Sequence, residues 1–302
     1  MPGLTDEQRL LRDTVRELAD EKIAPRAAEI DRTAEFPWDV KELLAAHDLF
    51  TLHFPERLGG LGGDLLTACL AIEQISRVCA TSGLILAVQG LGAVPILLAG
   101  TDEQQQRWVP DLAAGKTLIA FAITEAEAGS DAAAIRTRAV RNGDDYVITG
   151  SKRFISQGSV ADLVVVFALT DPDGDRHRRL SCFVVETNRP GFGVARLEHK
   201  MGIRGSPTAE LVFDNVRVPA ANLIGADPEA AASWLASSAG QTYLDLRAAP
   251  LAARWTALEA QEAATWALNL PESPARNAAI GAVAGTWGRI DPQEAGSWIE
   301  KL

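Results

Sequence analysis

Three short stretches carry residue types able to hold a ligand. The first, Phe121 to Ala134, begins as an apolar run of strand length, Leu118 to Ile123. It stops at the hydroxyl of Thr124, then turns through acidic residues to Gly129-Ser130-Asp131. Glycine there permits backbone angles closed to other residues, and successive N–H groups in such a turn can form an anion-binding concavity. The second, Gly150 to Ser156, sets Phe154 and Ser156 two residues apart. On a strand they share one side and can both meet a flat ligand. The third, Lys200 to Thr208, is a loop of small residues around a fixed cation, Arg204, leading into Leu211-Val212-Phe213-Asp214. Together these types suit recognition of a flat ring and of anionic groups. Glu125, Glu127 and Asp131 are read as turn or helix-start acids, not as general bases.

The totals remove several competing classes. A net charge of −11 excludes the basic stripe a nucleic-acid binder needs. Cys69, Cys79 and Cys182 form neither a CxxC nor a paired framework, and the four histidines lack metal-ligand spacing. That pattern suits a reducing compartment and no bound metal. Asp6, Glu7, Arg9 and Arg12 leave no apolar core for a signal peptide. No run is read as approaching the ~20 uncharged apolar residues of a membrane span, so a cytoplasmic chain is expected.

The elements that must position these stretches follow from periodicity. Helices are expected over residues 4–22, from Pro25 through Ile30, and over 40–47, 65–77, 82–98 and 102–112, with Thr5 and Thr101 as caps. The loop Pro55 to Gly63 is glycine-rich but lacks the GxGxxG spacing of a dinucleotide fingerprint. From Leu118 the period changes. Asn142-Gly143 marks a hairpin, residues 163–169, 181–185 and 210–218 read as strands, and Pro190 to Gly193 reads as a turn. Such spacing predicts an antiparallel barrel or sandwich. From Asp227 the composition shifts to alanine and tryptophan. Trp234, Trp266 and Trp298 recur every 32 residues, as do Trp255 and Trp287, which signals stacked helical hairpins. The expected fold is therefore α+β and multidomain. It comprises an all-α domain (1–117), an antiparallel β-barrel (118–226) and a helical hairpin-repeat segment (227–302).

Residues 1 to about 226 resemble the first two domains of the acyl-CoA dehydrogenase family. The resemblance rests on the helical opening, the Pro55 to Gly63 loop, Thr124-Glu125 through Asp131, and Gly202-Ile203-Arg204-Gly205-Ser206. It implies FAD as cofactor, an acyl-CoA substrate, an electron-transfer flavoprotein as partner and a homo-oligomer. By resemblance Phe121, Ile123 and Thr124 line the flavin, with Thr124 on its pyrimidine side. Gly129 and Ser130 approach the pyrophosphate and the CoA thioester arm. Phe154 stands where the family has an aromatic against the ring system. Ser156 stands for a hydroxyl near flavin N5, with Ile155 between them. Ser130 and Arg204 are the implied substrate contacts. The wording of residues 202–206 resembles short- and branched-chain members, hence fatty acid or branched-chain amino acid degradation.

The resemblance stops near Asp227. The family takes its catalytic glutamate from a C-terminal bundle, usually in a Tyr-Glu-Gly setting or in some members from the bundle's first helix, and residues 227–302 show neither signature. No catalytic residue is assigned. Three readings stay open. One is an FAD-dependent acyl-CoA dehydrogenase of impaired activity, the second an interaction scaffold built on the repeats, the third a truncated or fused chain.

Overall fold

A computed structural model describes residues 3–173, 179–224 and 241–301. The first tryptophan copy, 227–234, and the expected boundary at 226/227 lie outside them. The chain divides into two units. One holds residues 1–96 and 103–224, the other 97–102 and 225–302.

The first unit opens on α1 (Asp6–Leu18), where Thr5 and Gln8 form a reciprocal capping box. Helix α2 (Ala27–Thr33) ends at Ala34 in the left-handed region. Helices α3 (Trp38–Ala46), α4 (Leu65–Val78), α5 (Ala80–Ala99) and α6 (Asp102–Ala113) follow. Leu44, Phe50, Ile75 and Leu86 of this helical part share one continuous core with Val164, Val166, Phe183 and Phe213 of the sheet. The glycine-rich loop is a 3-10 turn over Glu56–Leu58.

Helix α5 corrects the expectation that no segment could span a membrane. Its 20 residues carry no charge and are long and apolar enough by length and composition. Gln89 and three glycines interrupt the apolar run in the sequence. In the fold Gln89 is buried, donates to the carbonyls of Leu112 and Thr117, and accepts from the N–H of Ile119. A Cβ on Gly92 would stand 2.7 Å from Ile119 Cγ2, so glycine lets the helix lie against the first strand.

The sheet contains β1 (Ile119–Ala122), β2 (Arg138–Asn142), β3 (Asp145–Ser156), β4 (Leu163–Leu169), β5 (Leu180–Glu186), β6 (Phe192–Leu197), β7 (Thr208–Pro219) and β8 (Leu223–Ile224). Its order is β6-β7-β3-β2-β4-β5-β8, with β1 also paired to β4. Two corrections follow. The sheet is mixed, since β1 and β2 both pair β4 in parallel. It is also an open path rather than a closed barrel. Strand β8 has only two residues, and β6 is a mostly exposed strand with a register shift between Val194 and Arg196. Short or irregular, charged edges of this kind resist further pairing. Strand β6 overlaps the turn expected over Pro190 to Gly193 and extends beyond it, since Gly193 and Arg196 mask its alternation in the sequence. The Asn142-Gly143 hairpin is present, with Gly143 at φ +64°.

The second unit is helical: α7 (Gln241–Thr256), α8 (Ala260–Asn269), α9 (Pro274–Ile290) and α10 (Pro292–Ile299). Ser273 and Asp291 cap α9 and α10, each followed by proline at the first helical position. Buried alanines at 252, 263, 267, 275 and 279 let the helices approach closely, with Trp255 and Trp287 as the bulk between them. Trp255 meets Trp266 at 6.0 Å between ring centroids, and Trp287 meets Trp298 at 5.7 Å.

Candidate functional site

The turn after β1 is fixed from beneath by a buried ion pair. Lys152, fully buried on β3, donates from Nζ to Glu125 Oε1 at 2.7 Å and to the Ile123 carbonyl at 3.1 Å. Glu125 also accepts from the N–H groups of Arg136 (2.8 Å) and Thr137 (3.0 Å). Its backbone exchanges hydrogen bonds with Ala128, closing the turn. The N–H of Arg153 donates to the Thr124 carbonyl at 2.8 Å. Both carbonyls flanking the Ile123–Thr124 peptide unit are thus held by β3. Burial alone would raise the Glu125 carboxyl, but hydrogen bonds from Lys152, Thr137 and Arg136 outweigh it and hold the group below its ordinary value. Burial draws the Lys152 ammonium down while Glu125 opposes it.

Strand β3 is irregular where it meets this turn. Its pairing with β7 shifts register between Lys152 and Ile155, and those two residues, three apart, both face the core. One residue is therefore inserted, as in a β-bulge. Phe154 sits in the inserted stretch at φ +59° and is 56% exposed. A left-handed aromatic is a strained arrangement, and such residues cluster at ligand sites. Ile155 is buried, so its side chain belongs to the core and only its backbone borders the site. Ser156 is half-buried, and Gln157 follows at φ +59°. The N–H of Gln157 bonds the Pro207 carbonyl at 2.6 Å, and its Nε2 bonds the Leu84 carbonyl at 3.3 Å. The bend is thereby pinned to both α5 and the 200–208 loop.

Thr124 and Ser156 are half-buried, whereas Gly129 and Ser130 are exposed. Among the described residues, the hydroxyls of Thr124, Ser130 and Ser156 have no hydrogen-bond partner. A Cβ placed on Gly129 would meet nothing within 4 Å, so the space before it is open. Phe121 is half-buried with its ring 5.4 Å from that of Phe167, and Ile123 is half-buried beside it. Arg204 is exposed. Its N–H bonds Asp31 Oδ1 at 3.3 Å, and Lys200 closes the loop by donating to the Ser206 carbonyl and Thr208 Oγ1. A Cβ on Gly205 would come within 2.5 Å of Ile30 Cγ2 and 2.9 Å of the Glu35 carbonyl, so this loop is seated on the end of α2. Thr124 and Phe154 are thus joined through Arg153, and Ser156 is joined to the 200–208 loop by pairing with Thr208. Among the described residues no group of His, Cys, Asp and Glu could hold a metal.

The latch residue Lys152 was not singled out from sequence. Its signal is a lysine at an alternating core position of β3 with an acid just past a neighbouring strand, a pattern legible only once the strands are known to adjoin.

The sequence matches the description "Acyl-CoA dehydrogenase, N-terminal domain" over residues 5–116 and "Acyl-CoA dehydrogenase, middle domain" over 120–216. An acyl-CoA dehydrogenase of Bacillus subtilis is 45% identical over 223 residues, covering 74% of this chain and 59% of that protein. The chain thus spans about three-fifths of the length of that curated relative. A probable acyl-CoA dehydrogenase structure from Mycobacterium abscessus superposes with TM-score 0.70 at 32% identity, covering 99% of this chain and 81% of the other. A glutaryl-CoA dehydrogenase from Mycobacterium smegmatis, solved with FADH2, superposes with TM-score 0.67 at 28% identity, covering 95% and 74%. The motifs, the bent β3 and these likenesses agree, and the chain belongs to the acyl-CoA dehydrogenase family.

Proposed function

We propose that the chain binds FAD and an acyl-CoA thioester, as an oxidoreductase whose α,β-dehydrogenation is impaired. The observation that carries the reading is the bent strand and the turn pinned to it. An exposed aromatic at 154 is held in a strained backbone, Arg153 ties it to the Thr124 carbonyl, and the half-buried Ser156 follows two residues on. Polar groups and strain placed in this way fit a flat ring with hydrogen-bonding edges and an anionic tail. The FADH2 found with the Mycobacterium smegmatis relative supports the same cofactor.

When bound, FAD supplies the two-electron acceptor for dehydrogenation of the acyl chain. Phe154 would lie against its ring, with Phe121 and Ile123 as apolar lining. Thr124 would donate to the pyrimidine edge and Ser156 to the edge near N5. The open space at Gly129 admits a phosphate, and Ser130 with Arg204 would hold the CoA arm. What these residues do not offer is a base for the α-proton. Glu125 is committed to Lys152 and two backbone N–H groups. Residues 227–302 contain no Tyr-Glu-Gly. Loss of a general base typically slows a reaction by about 10²–10⁴.

Purified protein loaded with FAD should be yellow and bleach on anaerobic addition of a short acyl-CoA, at a rate roughly 10²-fold or more below that of a relative with the glutamate. Bleaching at the relative's rate would contradict the impairment, and failure to take up flavin would contradict the reading. A cytoplasmic location, an electron-transfer flavoprotein as oxidant and a homo-oligomer belong to the same proposal.

A second reading draws support from the tryptophan pairs 255/266 and 287/298, which share their spacing and have similar ring separations. Stacked helical hairpins of this kind would form a protein-interaction scaffold. Full-length protein that takes up no flavin yet binds a partner through residues 241–301 would favour it.

A further inference from the structure

Arg153 stands beside the proposed ring site with an incompletely paired guanidinium. Its guanidinium carbon lies 4.9 Å from the centroid of the Phe154 ring, within cation–π range. Its Nε is shut off from solvent and has no hydrogen-bond partner. The carboxylate facing it, Glu198 Oε1, stands 4.0 Å away, beyond hydrogen-bonding distance. That oxygen is taken by Arg196 at 2.6 Å, and Arg196 also reaches Glu210 at 3.6 Å. Of this row of two arginines and two carboxylates, Arg153 forms the positive end, and that end rests on the aromatic ring. A buried N–H without a partner in a native fold calls for a reason. Here the backbone of the same residue already fixes the Thr124 carbonyl, so its side chain is not needed for that contact.

We propose that Arg153 is a positioning residue that acts through Phe154, holding a positive charge behind the ring that stacks on it, with Glu198 as the opposing charge. The inference rests on the flavin reading above. A flavin that takes up two electrons and one proton gains one negative charge. A cation behind its aromatic neighbour therefore favours the reduced form, and a nearby carboxylate disfavours it. The two residues should shift the same equilibrium in opposite directions, which loss of packing would not do.

The test is the midpoint potential of the FAD-loaded full-length chain, read by equilibration with a redox dye. Arg153→Met should raise the ratio of oxidised to reduced flavin at fixed potential by about tenfold, about 30 mV for a two-electron couple. Glu198→Gln should lower that ratio, and Arg153→Lys should fall between wild type and the methionine variant. Should Arg153→Met release its flavin, the opposed shifts of Arg153→Lys and Glu198→Gln carry the test. Flavin bound with equal potentials in these variants, or shifts of the same sign, overturns the inference alone. A wild-type chain that binds no flavin overturns the function reading and this inference with it.

Discussion

Lys152→Met is expected to destabilise the chain by about 3–5 kcal/mol, read as a drop in the urea midpoint at constant slope. The magnitude follows from what is left behind. Glu125, with a side chain only 9% exposed, would lose its charged partner while its backbone donors keep it inside. A buried carboxylate without its cation costs far more than the pair contributes net. The pH dependence has a definite sign. The Glu125 carboxyl is held below its ordinary value of 4.5 in the fold, so its stabilisation is present above that value. It is lost as the pH falls through the lower, folded value. In Lys152→Met that acid-side loss should shrink, because the unpaired carboxyl tolerates protonation. A variant within about 1 kcal/mol of wild type would show that the latch is incidental.

Phe154→Gly should separate stability from binding. The left-handed backbone of Phe154 costs roughly 1–3 kcal/mol, and glycine removes that strain. Glycine gives back about 0.5–1 kcal/mol through the entropy of the unfolded chain. The half-exposed ring adds little burial to lose. Flavin-free protein should therefore stay within about 1 kcal/mol of wild type. The FAD dissociation constant should rise roughly tenfold, from the loss of about 1.5 kcal/mol of stacking. Phe154→Ala loses the same ring without relieving the strained φ, and should be the less stable of the two. Unchanged FAD affinity in both would remove Phe154 from the site.

The contrast between what the residues foretold and what they did not has a physical pattern. Helix positions are legible because capping and apolar periodicity act locally, as at Thr5. The shared side expected for Phe154 and Ser156 agrees with the burial pattern, exposed and half-buried on either side of the buried Ile155. The bulge between Lys152 and Ile155, and the left-handed backbone it gives Phe154, have no signal in the sequence. A bulge depends on the facing strand β7, which no local pattern reveals. The same limit hid the parallel pairing of β1 with β4 and the open sheet, since both depend on which strands meet. The Lys152–Glu125 latch is a contact over 27 residues of sequence. The significance of Arg153 lies in the weakness of its partners, which no sequence pattern shows.

Residues 121–156 are proposed to form one wall of a flavin site in this chain. The most direct test is the flavin stoichiometry of purified full-length protein after FAD loading and removal of excess, with the flavin released by denaturation and counted against protein. The account predicts near one FAD per chain, reduced in Phe154→Gly under the same wash. No flavin retained by wild type at saturating FAD would contradict it.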